Sequence, residues 1–243
     1  MSLSYHEGEI PIAIVGTKKL FLNTTEHEDG QNRIELKGDL KFQPVPSNSE
    51  RDVIYVSGMS GSGKSFYTSE YLKQYHKRWP KREVFLFSSI DEDKCLDSLK
   101  FVKRVDIKKP AFLEMTLEAK DFPDCAVVFD DCDVLTNKAI KKHVFLILDS
   151  LLQTGRHFHS TVIFTSHCAC NGLQTKIVLN EASSITIFPK TSGNKALCYL
   201  ADTYLGLNKH QTADLKKISG RWITIIRAYP RCALTEKTAY LLN

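Results

Sequence analysis

Nowhere in the 243 residues does an apolar run reach the length that crosses a bilayer, and the N-terminus lacks a charged stretch leading into an apolar one. Neither a membrane segment nor a secretory leader is therefore expected. Repeats and low-complexity tracts are missing as well. The seven cysteines are odd in number, scattered, and set into apolar segments such as "DCAVVFDDCDVL", which speaks for reduced thiols in an intracellular setting rather than a disulfide framework. Charge of either sign is not in large excess: 33 basic against 28 acidic residues leave a net charge of +5, compatible with a polyanionic partner without requiring one. With 42% hydrophobic and 25% charged residues, the composition is that of an ordinary globular chain able to bury one substantial core, with a small extra subdomain.

Glycine is sparse, at 12 residues, yet three glycines fall together in "DVIYVSGMSGSGKSFYTSEYL", residues 52–72. The apolar run Val53-Ile54-Tyr55-Val56 breaks into a loop with Gly58, Gly61 and Gly63, followed at once by Lys64 and Ser65. This spacing fits the phosphate-binding loop G-x-x-x-x-G-K-[ST] at each fixed position. Glycines let the backbone close around phosphate oxygens with its N–H groups turned inward, and a helix opening at Lys64 adds the positive end of its dipole. Lys64 then reaches the terminal phosphates and the Ser65 hydroxyl ligates Mg²⁺. The nucleotide-binding residues are accordingly Gly58, Met59, Ser60, Gly61, Ser62, Gly63, Lys64, Ser65 and Phe66, with Ser65 also a metal ligand. Tyr67, Tyr71 and Tyr75 recur every four residues until Pro80, as a helix requires.

Residues 1–50 read as short strands separated by polar turns, either a small β appendage or an extra strand pair on the main sheet, with "PVPSNSERD" as the linker. Beyond residue 51, strand and helix patterns alternate, which predicts βαβ units in a mainly parallel sheet. Candidate strands are 52–57, 84–88, 125–130, 161–166, 184–188 and 222–228. A long helix is expected over about 137–154, with Gly155 as its stop. The stretch 91–122 is ambiguous, with "KFVKRVDI" as a candidate strand.

"CAVVFDDCDVL" is an apolar strand ending in Asp130 and Asp131. A phosphate-loop NTPase needs an acid at such a strand end to hold Mg²⁺ through its water shell, which suits Asp130. Alternation along the strand sends Asp131 elsewhere, placed to polarise the attacking water, against the competing reading of two solvated acids. Arg156 follows the helix-ending glycine and precedes the strand "STVIFTSH". In ring-forming ATPases such an arginine reaches the γ-phosphate of the neighbouring subunit, whereas an arginine that merely bonds helix carbonyls is the alternative. The strand ends in Thr165, Ser166 and His167, one of which senses γ-phosphate or orients water if the strand lies between the phosphate loop and the acidic strand. "HCAC" at 167–170 lacks the second Cys/His pair of a closed zinc site.

Taken in order, "GMSGSGKS", "VVFDDCD", "GRHFHSTVIFTSH", "IVLNEASSITIFP" and "SGRWITIIRAYPR" resemble the viral genome-packaging ATPases of the FtsK/HerA superfamily, in the branch of poxviruses, giant viruses and virophages, over about 51–243. The resemblance implies an α/β fold of the additional-strand, RecA-like P-loop class: a three-layer sandwich with a mainly parallel sheet, here with the small N-terminal β region at 1–50. It also implies a Mg²⁺-dependent, ATP-hydrolysing ring, pentameric or hexameric, that moves double-stranded DNA through a capsid vertex, at the virus assembly site in the host cytoplasm and with the virion. Many superfamily members carry Gln where this chain has Thr165-Ser166-His167, so the sensor is left open among the three. DNA would be held by its backbone. Lys138, Lys141 and Lys142, or Lys94, Lys100, Lys103 and Arg104, are the candidates, with "KRWPKR" at 77–82 expected at the sheet end away from the nucleotide. A nucleoside or other small-molecule kinase and a nucleotide-dependent assembly switch are the alternative functions. The kinase reading lacks an arginine-rich lid between 130 and 200.

Overall fold

Strands buried on both faces need apolar residues throughout rather than in alternation, and the central strands of this chain are built that way. In the computed structural model, which describes residues 1–242 apart from 7, 27, 48, 50, 171, 218 and 219, short strands open the chain. They are β1 (Ser2–Ser4), β2 (Ile10–Val15), β3 (Lys18–Asn23), β4 (Arg33–Glu35) and β5 (Gln43–Pro44). The core follows as β6 (Val53–Ser57), α1 (Lys64–Arg78), β7 (Val84–Ser88), β8 (Val102–Arg104), α2 (Pro110–Glu114), β9 (Ala126–Asp130), α3 (Lys138–Thr154), β10 (Thr161–Ser166), α4 (Gly172–Glu181) and β11 (Ser184–Ile187). Helices α5 (Asn194–Thr203) and α6 (Lys209–Lys217) lead into β12 (Ile223–Ile226), β13 (Cys232–Thr235) and β14 (Thr238–Leu241).

The main sheet runs β4-β14-β13-β12-β11-β6-β10-β9-β7-β8. From β11 to β8 every pairing is parallel; β12, β13, β14 and β4 extend the sheet antiparallel. Strand β10 thus lies between the phosphate-loop strand β6 and the acidic strand β9, the order of the additional-strand class. β1, β3, β2 and β5 form a separate four-stranded sheet, while β4 joins the main sheet through β14.

Side chains alternate between two cores. Val53, Tyr55, Val127, Phe129, Val162 and Phe164 face one packed by α3, α4 and α5. Ile54, Val56, Ala126, Val128 and Ile163 face the other, closed by α1 and the N-terminal sheet. These are the three layers.

The expected strands appear within a few residues of their sequence boundaries. Helix α3 is capped by Asn137, whose side chain accepts from the N–H groups of Ala139 and Ile140. Gly155 does not end it in a left-handed turn: its φ is −59°, and the chain continues as a 3-10 turn, Gly155–Phe158. In 91–122, only β8, the five-residue α2 and a 3-10 turn, Ala119–Asp121, are regular.

Candidate nucleotide-hydrolysis site

Strand β6 delivers the chain into the phosphate loop at the carboxyl edge of the parallel strands, where ligands of open α/β sheets bind. The loop's tight path explains its glycines. At Gly58 a Cβ would sit 2.5 Å from Ser62 Oγ and 2.9 Å from the Phe188 ring, and Gly63 has φ +110°, which side chains rarely adopt. The Gly58 N–H donates to the Ser166 carbonyl at 3.1 Å, tying the loop to β10.

Helix α1 starts with Lys64 and Ser65, with no side-chain cap and no acid in its first turn. Its leading amides and dipole are left for an anion. Beside them, the buried Ser62 hydroxyl has no protein partner among the described residues. Lys64 is buried, donates to the Gly58 carbonyl at 3.0 Å and lies 3.5 Å from Asp131 Oδ2.

Asp130 is buried at the end of β9. It accepts from Ser88 Oγ at 3.0 Å on one oxygen and from Thr165 Oγ1 at 2.9 Å on the other. Burial, and then the charge of Asp131, push its carboxyl up to about 6, against the lowering effect of both hydrogen bonds. Two adjacent carboxylates, one of them poorly solvated, form an environment that a divalent cation would relieve. With the Ser65 hydroxyl, the donors are hard oxygens of the kind Mg²⁺ takes.

Asp131 leaves the strand in the left-handed region, φ 50°, one of three positive-φ residues other than glycine among the described residues. This bend turns its carboxylate toward the phosphate loop. Its N–H donates to Thr165 Oγ1 at 2.9 Å, and the Thr165 hydroxyl also approaches its Oδ1 at 3.2 Å. That hydroxyl has a single proton, so it serves Asp130 or Asp131 but not both at once. His167 Nε2 lies 2.9 Å from Asp131 Oδ2. Ser166 points the other way and donates to the buried Asp133 at 2.7 Å.

The structure thus brings Lys64, Asp130, Asp131, Thr165 and His167 into one cluster, and sets Ser166 behind it. Arg156 stands apart, exposed in the turn before β10, at the opposite end of the sheet from its own phosphate loop. Sequence reasoning did not include Ser88, although it ends an apolar strand just as Asp130 does. It also missed Phe188 and Arg221, which approach the loop from distant segments.

No family model matches the chain. It is 37% identical over 228 residues to the uncharacterized protein V3 of Sputnik virophage, across 93% of this chain and 90% of that protein. Its structure resembles the genome packaging NTPase B204 of Sulfolobus turreted icosahedral virus 2, solved with ATP-γ-S, with a TM-score of 0.52 and 15% identity over 77% of this chain and 98% of that one. It also resembles the cytoplasmic domain of the type VII secretion ATPase EccC of Thermomonospora curvata, with a TM-score of 0.53 and 12% identity over 93% of this chain and 28% of that one. The strand order and phosphate loop of this chain are those of a P-loop ATPase; it belongs to the family of the Sputnik virophage protein V3 and has the fold of the FtsK/HerA-type viral genome-packaging ATPases.

Proposed function

We propose that this protein is a Mg²⁺-dependent ATPase that drives double-stranded DNA into a viral capsid. The observation that carries the reading is the meeting of Lys64, Asp131, Thr165 and His167 from three neighbouring strands beside an uncapped helix N-terminus. The amides of residues 58–66 bind the phosphates, and Lys64 moves from the Gly58 carbonyl to the terminal phosphates. Asp131 orients and deprotonates the attacking water once Lys64 turns to substrate, while Thr165 and His167 hold its carboxylate in place. Asp130 and Ser65 are the residues that would hold Mg²⁺, which supplies charge neutralisation on the phosphates when bound.

Arg156 lies too far round the sheet to serve its own phosphate loop, and it is exposed. We assign it to the γ-phosphate of a neighbour in a ring. On this assignment each complete site lies between two subunits, one supplying the phosphate loop, Asp130, Asp131, Thr165 and His167 and the other Arg156.

For DNA the three basic clusters are not equivalent. Arg78 and Arg82 lie 4.5 and 4.7 Å over Trp79, at the sheet end away from the phosphate loop. Arg104 is held by Asp97 at 2.8 Å, and Lys103 pairs with Glu83. Lys138 and Lys142 are exposed, make no ion pair among the described residues, and open α3 just beyond Asp131. They are the backbone-contacting residues we favour, coupled to the site by Lys141, which donates to the Asp133 carbonyl. The virophage relative and the fold of a viral packaging NTPase support this reading over a kinase. Steady-state ATP hydrolysis with and without long double-stranded DNA tests it.

A further inference from the structure

The chain beyond β9 holds a third carboxylate that the hydrolysis site does not use. Asp133 is buried, with 7% of its surface exposed. Its Oδ2 accepts from Ser166 Oγ at 2.7 Å, whereas its Oδ1 is buried and has no partner among the described residues. A buried carboxylate oxygen without a donor is costly, so its retention needs a reason. A second such group stands on the other side of Ser166. Ser57 is fully buried, and its hydroxyl also lacks a partner among the described residues. Ser57 and Ser166 are register partners at the ends of the parallel strands β6 and β10, so their side chains project from the same face of the sheet.

Ser166 therefore sits between two orphaned oxygens, and its other contacts run to the nucleotide site. Its carbonyl accepts the Gly58 N–H of the phosphate loop, and its hydroxyl accepts the Cys168 N–H at 3.1 Å, next to His167. Its one hydroxyl proton serves Asp133 or Ser57 but not both. Asp133 also reaches α3. It lies in the 3-10 turn Cys132–Val134, and its backbone carbonyl accepts from Lys141 Nζ of that helix. The ammonium thus rests on the neutral oxygen of the residue whose charged oxygen is unfilled.

Resting on the phosphate-loop reading, we propose that Ser57, Ser166, Asp133 and Lys141 form a two-position switch that reports the nucleotide to α3, with Asp133 as its positioning residue. In the observed position, Ser166 donates to the Asp133 carboxylate and Lys141 to the Asp133 carbonyl. Nucleotide brings net negative charge to the loop and draws Lys64 off Asp131, so an unpaired carboxylate at Asp133 becomes more costly. Lys141 then takes that carboxylate, a charge-assisted bond stronger than one to a carbonyl. The released Ser166 hydroxyl turns to Ser57. Both orphaned oxygens gain a partner, and the start of α3, with Lys138 and Lys142, moves with Lys141.

Hydrogen exchange of the full chain, with and without Mg²⁺ and a non-hydrolysable ATP analogue, tests the switch, with calorimetry to measure loading. In wild type the analogue should slow exchange over residues 138–145 at least about fivefold. Ser57→Ala and Asp133→Asn should bind the analogue as wild type does and keep basal hydrolysis, yet lose that slowing. Ser57→Ala removes a hydroxyl that bonds nothing in the observed position, so a purely structural role predicts no change from it. Should Asp133→Asn not fold, Ser57→Ala decides alone. Bound analogue that leaves 138–145 unchanged in wild type overturns the switch. So does slowing in either variant equal to that of wild type, or loss of basal hydrolysis in Ser57→Ala. Unimpaired analogue binding by Lys64→Ala would instead overturn the phosphate-loop reading, and the switch with it.

Discussion

Lys64 and Asp131 face each other at 3.5 Å, a buried ammonium against a carboxylate at the end of the acidic strand β9, one strand removed from β6. In this arrangement the lysine occupies the carboxylate that the proposed mechanism needs for water. Nucleotide binding must therefore part the pair, because phosphates offer Lys64 a stronger anionic partner. Lys64→Ala is expected to reduce ATP hydrolysis at least about a hundredfold while the circular dichroism spectrum stays that of wild type. Near-normal turnover would remove the phosphate loop from the mechanism.

Thr165 is the hinge between the two acids. Its hydroxyl accepts the Asp131 N–H and donates to Asp130, so Thr165→Val keeps the shape and loses both. Hydrolysis should fall about a hundredfold with ATP affinity retained, since what is lost is the aim of Asp131. The fold should weaken by about 1–2 kcal/mol, the cost of a buried N–H without a partner. Chemical denaturation and single-turnover hydrolysis measure the two effects separately.

Asp130 gives a pH signature. Its carboxyl has an ordinary value of 3.8 and is pushed up to about 6 in the fold. Between those values the folded chain holds a proton that the unfolded chain has released, so stability falls as pH rises through the window. Above pH 6 the ionised group costs the metal-free protein about 2–3 kcal/mol. Asp130→Asn should therefore unfold at a higher temperature than wild type at pH 7.5 in the presence of a chelator, and equally at pH 3.5 to 4, while losing hydrolysis. A variant less stable than wild type at pH 7.5 would contradict the burial argument.

Arg156 tests the ring. Arg156→Ala should bind ATP as wild type does, lose turnover, and suppress wild-type subunits when the two are mixed. Activities that simply average with the mixing ratio would show that no subunit depends on its neighbour's arginine.

Much of the fold is legible in the residues because its central strands are continuous apolar runs ended by functional groups. Val53–Ser57, Ala126–Asp130 and Thr161–Ser166 each end where a loop or a polar side chain must face ligand. Their left-to-right order is not written in the pattern, and neither is the antiparallel extension through β12, β13, β14 and β4, since pairing depends on contacts between distant segments. The α-helix stops at Gly155, as the residue type predicts, but Gly155 itself is right-handed; the chain continues as a 3-10 turn and the left-handed residue comes later, at His159 with φ 53°. For the site, Lys64, Asp130 and Asp131 follow from local spacing. The 2.9 Å approach of His167 to Asp131 depends on the left-handed bend at Asp131, which no local motif encodes. Arg221 reaches the loop from a hairpin far along the chain, and only the tertiary structure brings it there.

A motor that spends ATP on moving DNA by its backbone is probed by steady-state hydrolysis with and without long double-stranded DNA, at low and moderate salt, with Lys64→Ala as the blank. Stimulation by DNA is expected to fade as salt rises, because phosphate contacts release counterions, and to be lost in Lys138→Glu/Lys142→Glu. Hydrolysis indifferent to DNA at both salt concentrations would contradict it.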